Sequence, residues 1–408
     1  MKKSFYSIII SSLIFNSCGD FEHKNMTEGP SQNVQGDIGL SAPGDLGSIN
    51  QGSFALNKMI SNIGINIITP AVADFKNNAE KLNDKTQVYC QIAETLTTDE
   101  TVMTVLRTEL QQTWSQAMKS YHYLEAAKFG PVAYNEEELG LKLYSWPLTN
   151  ACRVDLEVVK ASSRANYKLR DNLNTRGLDA LEGLFFVNED SHSCPRANSR
   201  LTAWLAKPLS QKRVDRCKVM KVVAKDLLEN AKTLNKSWDL RQDHFTIQLV
   251  KDKSQQELLD ASRSVSQSLF YVEEVVKDTK IGKDAQSCTK LTEHVTNPTM
   301  AASSILENLK GFKDVFNGVN RTTAYNGFGY DDYLRSLGFE GVSSRINTAT
   351  DTAIQNFSDL INAQTEISKQ DICARFDDVR EITNVLKGEF LLALGKDSAP
   401  GQSQGDMD

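Results

Sequence analysis

Apolar residues recur at spacings of three and four along most of the chain, between about residues 52 and 395. The apolar positions in the three clearest stretches are Val102, Leu106, Leu110, Trp114, Ala117, Tyr121 and Leu124; Leu258, Ala261, Val265, Leu269, Val272 and Val276; and Phe376, Val379, Ile382, Leu386, Phe390 and Ala393. This spacing puts the apolar side chains on one face of a helix, which must be buried against other helices. Because the alternation typical of half-buried strands is nearly absent, the sequence predicts an all-α protein.

Eight long helices are predicted, four on each side of residue 238. They span 52–82, 98–129, 153–188 (broken near Gly177) and 211–237, then 254–277, 298–317, 340–364 and 370–395. Pro70 should kink or restart the first helix, because proline has no backbone N–H to donate. Long helices joined by loops favour antiparallel bundles. We therefore predict two four-helix-bundle-like domains packed together, an N-terminal one over 51–238 and a C-terminal one over 239–396.

The first residues resemble the signal peptide of a bacterial lipoprotein. Lys2 and Lys3 precede an apolar stretch over 5–15, which is long enough for a signal-peptide core and too short to cross a bilayer. Cys18 follows at the place of the lipidated residue. Residues 1–18 are therefore predicted to be the signal peptide with its lipidated cysteine, and the alternative is a buried N-terminal helix.

A lipid anchor would attach the folded part of the chain to a membrane. Residues 19–50 are rich in Gly, Ser, Asn and Asp and are predicted to form a flexible tether, while 397–408 are predicted to be a disordered tail. Gly19 carries no aspartate retention signal after the cysteine. We therefore expect a lipid-anchored protein of the bacterial cell envelope that faces the periplasm or the cell surface, on the outer membrane rather than the inner one.

Cysteine content and charge agree with an exported protein and exclude some classes of function. Besides Cys18 the chain has an even set of cysteines, which suits three disulfides whose pairing the sequence does not specify. The candidates are Cys90, Cys152, Cys194, Cys217, Cys288 and Cys373. No CxxC motif occurs, so neither a redox motif nor a zinc ribbon is expected. The formal charge of −6 at pH 7 does not fit a nucleic-acid-binding protein.

Signatures of common enzyme families are absent: the sequence has no GxSxG, HExxH, P-loop or complete GxGxxG. The segment 326–332 contains two glycines and two aspartates, and we interpret it as a helix connection whose aspartates cap the next helix rather than as a ligand loop. Asp179 and Glu182 are three residues apart on one predicted helix face. They are candidates for metal ligands or a general base. Alternatively, Asp179 complements the helix dipole and Glu182 pairs with an arginine.

Three segments in a particular order resemble the imelysin-like family. They are Phe129-Gly130-Pro131 at a helix end, Trp146-Pro147 in a loop, and Gly177 to Glu182 followed by Leu184-Phe185-Phe186. The third segment corresponds to the GxHxxE motif of the family, and the final helix over 382–394 is also similar. The resemblance covers roughly residues 52–395. It implies an all-helical fold with two bundle-like domains and a site near their interface.

One residue of the motif departs from the family pattern, so that GxHxxE becomes GxDxxE. Gly177 and Glu182 match the family, whereas Asp179 stands where the family has histidine. The resemblance implies metal binding by the motif, peptidase activity for the first member described, and iron uptake in the envelope for others. Two carboxylates suit calcium, manganese or iron better than zinc. His122 and His192, the histidines of the first folded unit, are not at ligand spacing from Glu182.

We therefore expect an envelope lipoprotein that binds a metal ion or metal complex between two helical domains, for uptake or sensing. The implied cofactor is iron or another divalent cation, and the expected partners are the membrane and an envelope uptake partner. The candidate ligand-binding residues are Gly177, Asp179, Glu182, Trp146 and Pro147, with Asp179 and Glu182 on the metal. Gly177 should allow a close approach or a conformation that a Cβ would disfavour. A metallopeptidase with Glu182 as base, and a non-catalytic interaction lipoprotein, are the alternatives; peptidase activity is not expected without the motif histidine.

Overall fold

Helices make up most of the structure in the residues that it describes, as the hydrophobic periodicity predicts. The computed structural model describes residues 54–95, 99–195, 199–242, 244–282, 293–294, 297–320, 322–363 and 366–395. In these ranges one pair of two-residue strands accompanies the helices, so the all-α prediction is confirmed. The predicted signal peptide with Cys18, the tether over 19–50, Cys288 and the tail over 397–408 lie outside the described residues.

The α-helices are numbered in chain order. Those of the first half are α1 (Leu56–Asn62), α2 (Thr69–Glu94), α3 (Glu100–Glu125), α4 (Tyr134–Leu143), α5 (Ala151–Ser162), α6 (Gly177–Phe186), α7 (Ser199–Leu205) and α8 (Leu209–Ser237). Those of the second half are α9 (Phe245–Val250), α10 (Gln255–Gln267), α11 (Pro298–Asn317), α12 (Tyr330–Ser336), α13 (Glu340–Asn362), α14 (Lys369–Cys373), α15 (Phe376–Val385) and α16 (Leu391–Ala393).

Shorter elements lie between these helices. The π-helical segments are Ile63–Ile68, Val272–Ile281 and Leu386–Phe390, and the 3-10 turns are Gly130–Val132, Leu173–Thr175 and Ser268–Phe270. Strands β1 (Val319–Asn320) and β2 (Tyr325–Asn326) form an antiparallel hairpin in which Val319 pairs with Asn326 and Asn320 with Tyr325.

The predicted long helices are present, but several differ in extent. The last, predicted over 370–395, is divided into α14, α15 and α16 by residues 374–375 and the π-helical segment Leu386–Phe390. The first continues to Glu94 instead of ending at 82, since Tyr89 and Ala93 extend its buried face. The helix predicted over 153–188 is divided into α5 and α6 by residues 163–176. Short helices such as α4 and α12 were not predicted, because two turns of chain are too short to show a clear period.

Pro70 restarts the first helix after a π-helical segment, and its missing N–H has a structural consequence. It lies in the first turn of α2. The carbonyl of Asn66, four residues before the proline, accepts a hydrogen bond of 2.6 Å from the side-chain amide of Asn320. The carbonyl of Asn66 therefore connects the first helix to the β-hairpin.

The hydrophobic core continues through both halves of the chain. Helix α2 packs against α3 and α8, and α3 also packs against α11 of the second half. Helix α11 in turn packs against α13, which packs against α15. Buried residues of all these helices belong to one cluster. The two halves thus share a core along α3 and α11, and the division at residue 238 stays a prediction.

Disulfides connect the helices of the first half. Cys90 and Cys217 join α2 to α8, and Cys152 and Cys194 join α5 to the segment before α7. Cys373 is also disulfide-bonded, so all the candidate cysteines within the described residues are oxidised. Among the described residues, no helix combines the length and the apolar character that crossing a bilayer requires.

Candidate metal centre

Gly177 begins α6 in a backbone conformation that other residues rarely adopt. Its φ is +75°, and a Cβ at this position would lie 2.7 Å from the carbonyl oxygen of Leu143. An isolated β-bridge also joins Gly177 to Tyr144. The role expected for this glycine is therefore confirmed: it lets the chain before the Trp-Pro loop pack directly against the start of α6.

Asp179 and Glu182 share one face of α6 but contact different partners. An oxygen of Glu182 (Oε2) is 2.8 Å from Nδ1 of His294, whereas Asp179 is hydrogen-bonded to Thr149, just after Pro147. Burial, followed by the charge of Glu182, raises the pKa of Asp179 to about 7. The structure thus places Asp179 beside the Trp-Pro loop, and it gives Glu182 a histidine partner instead of an arginine.

His122 continues the chain of contacts that begins at Glu182. It lies in the last turn of α3, where its Nδ1 is 2.6 Å from Oε2 of Glu125. Its Nε2 is 3.4 Å from Nε2 of His294. When each Nδ1 donates its hydrogen to the adjacent carboxylate, both Nε2 lone pairs are available on the facing sides of the two rings.

Lys280 and Glu293 close this arrangement from the second half of the chain. Nζ of Lys280 is 3.0 Å from the carboxylates of Glu125 and Glu293, and 2.8 Å from the side-chain oxygen of Asn308. Glu293 also accepts a hydrogen bond of 2.7 Å from the hydroxyl of Tyr144. These contacts define a polar cluster, which consists of the side chains of His122, Glu125, Glu182, Lys280, Glu293 and His294.

The two histidines and Glu293 of the polar cluster are buried, and the backbone is strained at His294. The exposed fractions of His122, Glu293 and His294 are 0%, 1% and 5%. These three side chains offer nitrogen and oxygen atoms that all lie within 4.8 Å of one another. His294 has a φ of +48°, a region that non-glycine residues adopt at a cost in energy. Strain of this kind is common at functional sites.

The two histidines differ in their affinity for a proton. Burial, reinforced by the Lys280 ammonium, lowers the pKa of His122. Burial also disfavours charge on His294, but the Glu182 carboxylate outweighs it and raises the pKa of His294. Burial would raise the pKa of Glu125, yet Lys280 and His122 hold it well below its usual value. A proton on His294 can therefore be donated from its Nε2 to His122 when no metal is bound.

The donors and charges of the polar cluster fit one divalent metal ion. The cluster contains three carboxylates and one ammonium, which leaves two formal negative charges: Lys280 contacts Glu125 and Glu293, while Glu182 contacts His294. Two imidazoles that bind a metal tetrahedrally, with bonds of about 2.0–2.1 Å, have their nitrogens about 3.3 Å apart, close to the observed 3.4 Å. Two imidazoles and one carboxylate form the donor set of many iron(II) and zinc sites.

Sequence reasoning did not find the histidines of this cluster. His294 is 112 positions from Glu182, so no local spacing connects them. The signal that was available is the pairing of His122 with Glu125 on one face of α3, three residues apart. Asp179 replaces the histidine of the family motif, but the fold supplies two other imidazoles, one from α3 and one from the segment before α11.

Comparisons with known proteins identify the family. The imelysin family model matches residues 68–404, and the chain belongs to this family. Its fold is similar to that of an imelysin-like protein from Psychrobacter arcticum 273-4, with 15% identity and a TM-score of 0.59 over 84% of this chain and 98% of that one. A proposed iron-regulated protein A precursor from Parabacteroides distasonis ATCC 8503 has 11% identity and a TM-score of 0.48 over 85% of this chain and 98% of its own. No curated protein matches the sequence.

Proposed function

We propose that the protein binds one divalent first-row metal ion, iron(II) foremost, and serves the uptake or sensing of that ion in the bacterial envelope. His122, His294 and Glu293 would hold the ion. The observation that carries the proposal is the pair of Nε2 atoms 3.4 Å apart, while each Nδ1 contacts a carboxylate. Histidines that bind metals in proteins almost always donate their other N–H to a carboxylate, a carbonyl or water.

The remaining residues of the polar cluster orient these donors and set the charge. Glu125 and Glu182 favour the tautomer of each imidazole that leaves Nε2 free. Lys280 contacts Glu125 and Glu293 at 3.0 Å, so the negative charge that is left matches one divalent ion and not two. A bound ion would replace the proton between the two Nε2 atoms. Binding should therefore release a proton and weaken as the pH falls.

Burial of the donors supports ion binding over peptide hydrolysis. His122, Glu293 and His294 are at most 5% exposed, so a peptide bond does not reach them in this conformation. Glu182, the base of the metallopeptidase alternative, is engaged with His294 at 2.8 Å. Direct binding of the ion by Asp179 and Glu182 stays a prediction.

Titration of the purified, metal-stripped protein tests the proposal. Calorimetry with iron(II) under anaerobic conditions, manganese, zinc and calcium should give one site for the first three ions and weaker binding of calcium. His294→Gln and Glu293→Gln should each weaken binding by more than about 100-fold, beyond the loss expected for residues that only orient ligands. His192→Gln, a half-buried histidine outside the cluster, is the matched control. Wild-type affinity in His294→Gln, or no binding of any ion, would overturn the proposal.

The location in the envelope has its own test at Cys18. Lys2, Lys3 and the apolar run over 5–15 support lipidation of this cysteine. Several acyl chains hold a protein firmly on a membrane, whereas a single chain binds only marginally. Cys18→Ala should therefore move the protein from the membrane fraction to soluble or unprocessed forms. A variant that stays in the membrane fraction at the same mature size would contradict lipidation.

A further inference from the structure

Three large apolar side chains of the second half are exposed and form one group on the surface. Leu337 and Phe339 lie in the turn between α12 and α13, and Leu392 lies in α16. Their exposed fractions are 42%, 41% and 71%. Single exposed apolar residues are common on protein surfaces, whereas a group of them can mark a site that binds a protein or a membrane. We call these three side chains the apolar tip.

The turn between α12 and α13 holds two of these side chains in place. Gly338 has a φ of +85°. The N–H groups of Gly338 and Phe339 donate to the carbonyls of Arg335 and Leu334 at 3.0 and 2.8 Å. These two hydrogen bonds are those that end a helix at a left-handed glycine. The turn therefore presents Leu337 and Phe339 next to each other, one on each side of the glycine.

Leu392 comes near this turn because α13 packs against the last helices. Two side-chain contacts, eleven residues apart on each side, define an antiparallel register between α13 and the end of the described chain. They are Arg345 with Glu389 and Asn356 with Asp378. In this register Leu392 lies opposite residue 342, three positions after Phe339. Leu392 is therefore about one helical turn from Phe339 along α13.

The described chain also begins at this place. Phe54, the first residue that the structure describes, packs its ring against that of Tyr333, with the centroids 5.2 Å apart. Tyr333 precedes Leu337 by one turn of α12, and its carbonyl accepts a hydrogen bond of 3.2 Å from the N–H of Leu337. Cys18, the predicted lipidation site, lies among the residues that precede Phe54. A lipid on Cys18 would therefore connect the membrane to the end of the molecule that carries the apolar tip.

Another exposed apolar residue, Val105, lies at the opposite end. Helical segments follow one another without interruption over 56–94, a length of about 50 Å. Val105 is near the far end of this run, because α3 is antiparallel to α2 and Lys85 pairs with Glu109 at 2.7 Å. Its exposed fraction is 53%. Val105 therefore resembles the apolar tip in exposure but is far from the point where the described chain begins.

The size and charge of the apolar tip favour a lipid surface over a protein partner. A stable protein interface buries about 800 Å² on each partner, which is more than three side chains supply. A lipid anchor removes this requirement, because it makes a second, weak contact with the same membrane intramolecular. The exposed charges around the tip are balanced. They are Arg335, Glu340, Arg345 and Glu389. Apolar contact, rather than attraction to anionic lipids, would therefore hold the tip.

We propose that the apolar tip inserts into the interface of the membrane that holds the lipid anchor, so that the second half of the protein lies on the bilayer and the far end of α2 points away from it. Apolar side chains at an interface are typically buried about 5–10 Å into the boundary between headgroups and acyl chains. The inference rests on the lipid anchor that is part of the proposed function, and it adds the orientation of the anchored protein. It does not depend on the metal site.

Tryptophan reporters in the lipidated, full-length mature protein test this orientation. Phe339→Trp and Leu392→Trp are each reconstituted in phosphatidylcholine vesicles with brominated acyl chains, which quench indoles in contact with lipid. Both reporters should lose fluorescence relative to vesicles without bromine. Val105→Trp is the matched control and should lose no more than the wild type, whose four tryptophans set the background. Flotation of the same vesicles measures whether the protein is anchored.

A further variant separates apolar contact from mere proximity. Adding Leu337→Asp and Leu392→Asp to the Phe339→Trp protein should abolish the quenching, while the acyl chains keep the protein on the vesicles. The proposal is overturned if floating protein shows no more quenching at either reporter than at Val105→Trp, or if quenching survives the two aspartates. Protein that does not float would contradict both the anchor and this orientation, whereas the metal titration in solution is independent of either result.

Discussion

Two groups of charged side chains in this protein, each with buried members, differ in their balance of charge. The polar cluster contains three carboxylates and one ammonium, and the ammonium contacts two of these carboxylates. The second group, which we call the arginine network, contains four acids and four bases in contact with one another. Its members are Glu100, Asp155, Glu189, Asp190, Arg107, Lys212, Arg213 and Arg216.

The arginine network connects the segment that follows α6 with helix α8. Glu189 contacts Arg213 at 2.7 Å, and Arg216 contacts Asp155 at 3.5 Å and donates to the carbonyl of Ser191 at 2.6 Å. The disulfide between Cys152 and Cys194 closes the same segment onto α5. Each acid of the network has a base, so its charges are satisfied within the chain, and we infer a structural role for it.

The polar cluster has two carboxylates more than it has ammonium groups, and a proton on His294 or a bound ion must compensate the difference. Buried charge without a partner is costly unless a proton or an ion compensates it. The strained backbone of His294 and the imidazole nitrogens that face each other are further features that distinguish it from the arginine network. The comparison indicates that charge balance separates a structural group from a candidate binding site in this protein.

The largest expected effect is a loss of stability when an ion pair of the arginine network is removed. Arg216 is 1% exposed, and Arg216→Met would leave Asp155 and two backbone carbonyls without this partner. Removing one partner of a buried ion pair costs about 3–5 kcal/mol, so we expect that loss in the free energy of unfolding, measured in urea. The affinity for metal ions should not change in the protein that remains folded.

Arg241→Met is the matched control for this experiment. Arg241 is 81% exposed and pairs with Asp239 at 2.9 Å on the surface, where an ion pair contributes about 0–1 kcal/mol. If Arg216→Met costs no more than Arg241→Met, then the arginine network does not stabilise the fold as the comparison implies.

The second expected effect distinguishes the residues of the sequence motif. Glu182→Gln keeps the shape beside His294 but removes the charge that orients its imidazole, so metal affinity should fall by about 10–100-fold. Asp179→Asn should have a smaller effect, because Asp179 is hydrogen-bonded to Thr149 and not to a histidine. Both affinities are measured by calorimetry with zinc and manganese. If Asp179→Asn is the more damaging change, then the two motif carboxylates hold the ion directly.

Most of the fold could be predicted from the sequence, whereas the contacts of the site could not. Stripes such as Leu110, Trp114 and Ala117 require a helix whatever their distant partners are, and these three residues are buried as expected. The meeting of His122 with His294 depends on how α3 packs against α11 and on a strained residue just before α11. Packing of this kind leaves no periodic signal in the chain.

The motif at residues 177–182 shows the same division. The backbone role of Gly177 was predictable, because glycine at such a place indicates a positive φ or a close approach. The partner of Glu182 was not, because an unpaired carboxylate on a helix face fits an arginine, a histidine or a metal equally well. The order of the three segments along the chain was sufficient to identify the family. The chemistry of single residues was not sufficient to identify the site.

The smallest expected effect tests the rule of charge balance on a pair of neighbouring carboxylates. In the first turn of α12, Asp331 and Asp332 share one base, Arg335. Asp332 takes the short contacts: it is 2.7 Å from Arg335 and accepts a hydrogen bond of 3.1 Å from the N–H of Gly329. Asp331 lies 3.8 Å from Arg335 and has one buried oxygen without a hydrogen-bond partner among the described residues. Burial, and then the charge of Asp332, raises the pKa of Asp331 to about 7.

This raised pKa makes the stability of the protein depend on pH in a defined direction. Between the unfolded pKa of 3.8 and the folded value of about 7, the folded state holds more protons than the unfolded state, so stability falls as the pH rises. Asp331→Asn removes this loss and should stabilise the protein by about 1 kcal/mol above pH 7, with no gain below pH 4. Asp332→Asn should instead destabilise by about 1 kcal/mol at pH 7.5, because it weakens the cap and the ion pair. Urea unfolding of both variants across this pH range measures the difference, and equal effects of the two changes would show that sharing one base does not separate these carboxylates.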